Sequence, residues 1–302
     1  MIQPRANPGG LAVCALFRDE ARYLDEWVRF HKAMGVAHFF LYDNSSEDEP
    51  RPVLEPFINT GLVTLIPWPT LFHKGAQKQA YADCLERTRN HFRWVAFIDL
   101  DEFLFSPTGR SLPEVLRAFE AHPGVVVHWQ CYGSAGQQKA DDALVTARFT
   151  RRAPTNWVRN RKVKSIVDPV RAIEAASVHH FTYTDAALAV DETGTAVRFR
   201  PKSPLKRTVK RCYGRLWGPF APLLRRLPID PYKGTDIATS RIPVELLRIN
   251  HYPIKSREEF LMKSTLKKER RRYEDVDYFA FHDRNEVVDP ILVRWPRPAD
   301  VS

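Results

Sequence analysis

Over its first 130 or so residues the chain alternates short apolar runs with segments of helical spacing. This alternation constrains the fold more than any other feature. The apolar runs at 11–17, 36–42, 62–66, 94–98 and 125–129 have the length of strands. Between the first two, residues 19–34 put Leu24, Trp27, Val28, His31 and Met34 on one helical face, and Gly35 stands at the usual stop position. A short helix over 53–58 is expected to end at Gly61. A longer one over 76–91 aligns Ala80, Cys84, Leu85 and Thr88. Residues 111–121 open with Ser111 and Glu114 at capping-box spacing. Strands separated by helices predict an α/β fold with a mostly parallel central sheet flanked by helices. Such sheets bind ligands beyond the carboxyl ends of their strands. Three polar clusters fall there: Arg18-Asp19-Glu20, Asp43-Asn44-Ser45, and Asp99 to Glu102. One shared site is the expectation.

The acidic run carries the most chemistry. Three acids within four residues follow the apolar run 94–98. Ending a buried strand this way is costly without a counter-charge. A hard divalent cation, Mn2+ or Mg2+, takes carboxylate oxygens and keeps open positions for phosphate oxygens. In Asp99-Leu100-Asp101 the strand pleat is expected to send both carboxylates to one side and Leu100 to the other. One would meet the metal, and the other a donor ribose or a metal-bound water. The bland alternative is a solvated turn or a salt-bridged strand end.

The second half is less regular. Residues 150–167 read as basic strand and loop, and 256–272 as a helix capped by Ser256 with Glu259 three residues on. Asn250-His251-Tyr252 ends another apolar run, 246–249.

In order along the chain stand CALFRDE (14–20), LDEWVRFH (24–31), Gly35, YDNS (42–45), QAYADC (79–84) and WVAFIDLDEF (94–103). They are followed by KSIV (164–167), His179-His180, NHYPIKS (250–256) and HDRNEV (282–287). Together these resemble the family-92 glycosyltransferases and related bacterial family-2-like enzymes, over roughly residues 11–295. The resemblance implies a GT-A fold with a Rossmann-like sheet, a divalent metal, and inverting transfer of a hexose from a nucleotide sugar. UDP-galactose is its default donor, and a glycan or lipid-linked glycan the acceptor. It carries Asp101 to the metal and Asp99 to metal or ribose, with Glu102 as a brace of the loop or an acceptor behind the ligands, and a structural ion pair as its alternative. His251 becomes a further metal ligand and Lys255 a point charge for the diphosphate. Arg18, Glu20 and Asp43 become donor contacts, the last with an Asx turn as its alternative. Asp283 is the first candidate for general base, with Asp142 and His180 behind it.

The 302 residues suit a single GT-A domain over 11–300 after a flexible 1–10 segment. Four separated cysteines, Cys14, Cys84, Cys131 and Cys212, lack CxxC spacing, so neither a zinc site nor a disulfide framework is expected. The net charge of +10 is matched by one Pro-rich insert at about 198–227, where ten Lys or Arg occur without an acid. Its interleaved aromatics suit contact with anionic membrane, and its alternatives are a solvated loop or a lid. Nucleic acid is not expected, since no recognition motif accompanies the charge. The first ten residues lack a signal-peptide apolar stretch, and no run approaches the roughly 20 residues of a membrane span. The expected location is cytoplasmic, with peripheral contact at the inner face of the membrane. A nucleotide- or glycan-binding module without turnover, and a basic peripheral membrane protein, are the other classes.

Overall fold

A computed structural model describes residues 9–71, 75–200, 236–237, 241–266 and 278–294. Its centre is an eight-stranded sheet. In chain order the strands are β1 (Leu11–Phe17), β2 (Val36–Asp43), β3 (Val63–Pro67), β4 (Trp94–Phe97), β5 (Glu102–Phe105), β6 (Gly124–Cys131), β7 (Val163–Val167) and β8 (Arg248–His251). Across the sheet they run β3-β2-β1-β4-β7-β6-β8-β5. The pairs β3/β2, β2/β1, β1/β4 and β6/β8 are parallel. The pairs β4/β7, β7/β6 and β8/β5 are antiparallel. The α/β class with a mostly parallel sheet is therefore as expected, and β3-β2-β1-β4 is its Rossmann-like half.

Strand β1 explains why that half is buried on both faces. Leu11, Val13, Ala15 and Phe17 join one hydrophobic cluster, while Ala12, Cys14 and Leu16 join the other. This is the period-two alternation of a strand with helices on both sides. On the first side lies α1 (Ala21–Ala33), burying Leu24, Trp27, Val28 and His31. Each large apolar side chain so buried contributes about 1.5–3 kcal/mol. On the second side lies α3 (Ala76–Thr88), which presents Ala80, Tyr81, Cys84 and Leu85. Helix α2 (Pro50–Asn59) follows β2, and α4 (Leu112–Leu116) follows β5. Because β1, β2 and β4 are parallel, Arg18, Asp43 and Asp99 emerge at the same edge.

Several boundaries differ from expectation. The 76–91 helix stops at Thr88, and the 111–121 helix becomes a 3-10 turn over Arg117–Phe119. Ser111 does cap α4, its hydroxyl accepting the Glu114 N–H at 3.4 Å. Strand β5 and the hairpin Ala172–Ser177/His180–Tyr183 carried no clear period. Helix α5 (Arg257–Leu266) matches the start of the expected 256–272 helix, whose remainder lies outside the described residues. So do 1–8, Cys212 and residues 201–227 of the basic insert. Cys14, Cys84 and Cys131 are buried free thiols. Among the described residues no helix is long and apolar enough to cross a membrane.

Candidate metal and nucleotide site

Strand β4 ends at Phe97, and the acidic run turns instead of continuing the pleat. The expectation that Asp99 and Asp101 project to one side from a strand is therefore corrected. The chain reverses through Asp99–Asp101 and enters β5 at Glu102, whose N–H donates to the Asp99 carbonyl at 3.1 Å. Strand β8 pairs antiparallel with β5 and sets His251 opposite Glu102. The Tyr252 N–H then donates to the Asp101 carbonyl at 2.8 Å. This ladder, built from residues some 150 positions apart, fixes the loop.

Its side chains separate into two groups. Asp99 accepts from Gln77 Nε2 at 2.7 Å and lies 2.9 Å from Lys164 Nζ. Asp101 faces the other way, with Oδ1 3.5 Å from His251 Nε2 and Oδ2 3.1 Å from Lys263 Nζ. Burial would raise the Asp101 pKa, but Lys263, and after it His251, hold it well below the usual carboxylate range. Glu102 is fully buried. Its Oε2 accepts the Asp99 N–H at 3.0 Å, whereas Oε1 has no hydrogen-bond partner. Burial pushes the Glu102 carboxyl well above its ordinary value, against the pull of Lys164 3.9 Å away. His251 packs on Trp129, ring centroids 4.2 Å apart, with Nδ1 3.8 Å from Cys131 Sγ. Burial lowers its pKa and favours the neutral imidazole.

Ligand atoms of Asp101, Glu102 and His251 lie within 4.8 Å of one another. Two carboxylates and a neutral imidazole are a donor set that suits Mn2+ or Mg2+. The buried, unpartnered Glu102 Oε1 is the atom such an ion would satisfy. The fit is therefore good, with one change of membership: Glu102 joins the cluster, and Asp99 stands beside it on Lys164.

Next to this cluster, beyond the end of β1, is a cavity of about 320 Å³ whose lining includes Glu20, Tyr23, Asp48, Lys255, Glu259 and Lys263. Lys255 is buried on a left-handed backbone (φ 57°), its ammonium 4.1 Å from the centre of the Tyr23 ring. Burial, and then Lys263, lower its pKa. Lys263 bridges Glu20 Oε1 at 2.6 Å and Asp101 at 3.1 Å. Helix α5 aims it through a reciprocal capping box. The Glu259 N–H donates to Ser256 Oγ at 3.2 Å, and the Ser256 N–H to Glu259 Oε2 at 3.1 Å. Burial would raise the pKa of Glu259, but Arg148, 2.8 Å away, and Ser256 bring it down to about 2. Tyr23 also donates to Glu259, at 3.0 Å.

The structure thus brings together Asp99, Asp101, His251, Glu20 and Lys255. The other candidates stand apart. Arg18 is largely exposed, 3.4 Å from Asp19 and 3.9 Å from Glu47. Asp43 accepts the Ser46 N–H, three residues on, at 2.9 Å, and lines a second cavity with Glu49 and Arg51. Asp142 is exposed and pairs with Arg22 at 3.2 Å. His180 bonds Ser177 at 2.8 Å and stacks on Phe199. Asp283 accepts from the Ser134 N–H at 2.8 Å and from Asn285 Nδ2 at 2.7 Å, all through Oδ1. Its loop presses so closely on the turn after β6 that a Cβ at Gly133 would collide with the Arg284 backbone.

Three participants were not singled out from sequence. Lys164 lies within KSIV, where no local pattern marks its role. Lys263 follows Glu259 at i+4, on the same helix face, which is a readable signal. Gln77 carried none.

The family-92 model, "Glycosyltransferase family 92", matches residues 10–199. The chain belongs to glycosyltransferase family 92. Relatives include a family 92 protein of Oryza sativa subsp. japonica, 33% identical over 183 residues, covering 59% of this chain and 30% of that protein. One from Ricinus communis is 32% identical over 187 residues, covering 59% and 32%. A galactan beta-1,4-galactosyltransferase of Arabidopsis thaliana is 31% identical over 113 residues, covering 34% and 22%. The chain spans about a third of the length of the family 92 relatives it matches. Among solved structures, S. aureus TarS aligns with TM-score 0.36 and 15% identity over 53% of this chain and 47% of that one. HddC from Yersinia pseudotuberculosis aligns with TM-score 0.33 and 9% identity over 61% and 90%. The family match ends before His251, Lys255, Lys263 and Asp283, so their place in the site rests on geometry.

Proposed function

We propose that this chain is a metal-dependent, inverting glycosyltransferase that moves galactose from UDP-galactose to a hydroxyl of a glycan or lipid-linked glycan. The observation that carries the reading is the Asp101–Glu102–His251 cluster at the edge where β1 and β4 end. Galactose rests on the named activity of the galactan galactosyltransferase relatives. Asp101, Glu102 and His251 would hold Mn2+ or Mg2+, which when bound neutralises charge on a departing diphosphate. Asp99, braced by Gln77 and Lys164, presents a carboxylate toward the donor ribose. Glu20, Lys255 and Lys263 form the wall facing the diphosphate, and Arg18 and Asp43 the outer, nucleoside side. Asp283 is the base we assign to the acceptor hydroxyl on the family resemblance of its HDRNEV run: it lies outside the metal cluster, with Oδ1 fixed by Ser134 and Asn285 and Oδ2 outside both contacts. Inversion follows if the hydroxyl attacks opposite the leaving diphosphate. We place the enzyme in the cytoplasm, with 198–227 docking on anionic membrane.

The test is UDP release from a panel of UDP-sugars, with Mn2+ and with EDTA. Turnover that needs the metal and favours UDP-galactose is the expected result. Metal-independent turnover would overturn the mechanism. Tight UDP-sugar binding without turnover would leave a binding module instead.

A further inference from the structure

Lys263 deepens the reading above and depends on it. Its ammonium sits between Glu20 Oε1 at 2.6 Å and Asp101 Oδ2 at 3.1 Å. Asp101 is also one of the three candidate ligands. A carboxylate with an ammonium on one oxygen is a poorer ligand for a second cation, through both occupancy and repulsion. The two lysines at the acidic run differ in this respect. The Lys164 side chain is 1% exposed, sits 2.9 Å from Asp99 and reaches the triad only at Glu102, 3.9 Å away, whereas that of Lys263 is 26% exposed, sits 3.1 Å from Asp101 and lines the cavity.

We propose that Lys263 is an exchangeable counter-cation: it neutralises Asp101 while no divalent ion is held there, and yields that carboxylate when one is. Glu20 retains the ammonium at the cavity wall, where Lys255 already lies. A diphosphate entering the cavity then meets two ammonium groups instead of one. Two consequences follow from this exchange. Metal alone binds against competition from Lys263. Diphosphate favours the arrangement in which Lys263 has left Asp101, so metal and nucleotide strengthen each other's binding, by the same factor in either direction.

The test is Mn2+ binding by electron paramagnetic resonance, with and without UDP, in the full chain. In the wild-type chain UDP should tighten Mn2+ about tenfold, within the usual range of coupling between sites. In Lys263→Met, Mn2+ alone should bind several-fold tighter than in wild type, and the effect of UDP should shrink to what direct contact between metal and diphosphate supplies. Lys263→Arg keeps the charge and should restore both wild-type behaviours. Equal or weaker Mn2+ binding by a folded Lys263→Met protein, checked by circular dichroism, overturns the exchange. Undiminished coupling in that variant does the same. Failure of the wild-type chain to bind Mn2+ at all sinks the metal-dependent function instead, so the two failures are distinguishable.

Discussion

The Rossmann-like half and the later strands supply opposite chemistry to one site. From the first half, β1 and β4 end in Glu20, Asp99, Asp101 and Glu102. From the second, β7, β8 and the segment through α5 bring Lys164, His251, Lys255 and Lys263. Neither set is stable by itself in a dry interior, since an uncompensated buried charge costs several kcal/mol. The acids are clustered in sequence because one strand end delivers them. The bases are scattered over 100 positions because each needs its own element to reach that end. This teaches that the acidic run is a loop clamped from two sides. Lys164 on Asp99 is the buried clamp, and Lys263 on Asp101 is the one beside the cavity.

Removing the metal-facing acid should have the largest effect. Asp101→Asn is isosteric and keeps the Tyr252 N–H bond to the Asp101 carbonyl. We expect turnover to fall about 10²–10³-fold, the size seen when one charge-stabilising group is lost. His251→Ala removes a proposed ligand and should weaken metal by more than the roughly 10–100-fold lost with a group that only supports a ligand, read as a shift in the Mn2+ dependence of kcat. An Asp101→Asn enzyme with normal turnover would move the chemistry away from the β4 end altogether.

The two lysines should then separate in stability. Lys164→Met leaves Asp99 and the fully buried Glu102 without their cation, and breaking a buried pair costs about 3–5 kcal/mol. Lys263→Met removes a partly exposed cation and leaves Asp101 and Glu20 beside Lys255, so the loss should be smaller than for Lys164→Met. Urea unfolding of both variants measures the difference. Equal losses would erase the distinction between a structural and an exchangeable lysine.

The same contrast decides what the sequence made legible. Strand β1, helix α1 and the stop at Gly35 were readable because local period and burial agree there. The Ser256–Glu259 capping box was readable for the same reason, and with it the start of α5. The orientation of Asp99 was not, because a pleat was extended through what is a turn. Local sequence gives Glu102 no place among the ligands, since only its pairing with His251 across β5 and β8 brings it to the cluster. The role of Lys164 depends on β7 inserting beside β4 in antiparallel sense, which no window of local sequence reports. The role of Asp283 depends on packing against the turn after β6, again a long-range fact.

Acid should distinguish the halves more gradually. On the first side, His31 is fully buried and neutral, accepting the Leu104 N–H on Nε2 at 3.0 Å, with Nδ1 2.8 Å from the Trp27 carbonyl. Burial brings its pKa from 6.5 down to about 3. The unfolded chain therefore takes up this proton first as pH falls below 6.5, and stability drains from there toward pH 3. The slope for one such histidine is at most about 1.4 kcal/mol per pH unit. On the other side, Glu259 is lowered from 4.5 to about 2 by Arg148 and Ser256, against the opposing effect of burial. Its contribution is complete above pH 4.5 and is lost only as pH falls from there toward 2. Between pH 6.5 and 4.5 the histidine should therefore act while Glu259 stays silent. Urea unfolding across that interval should be less pH-dependent in His31→Gln than in wild type, and unchanged in slope in Glu259→Gln. If His31→Gln keeps the full slope, the acid sensitivity lies in other buried histidines, such as His128 within β6, held at about 4 by burial.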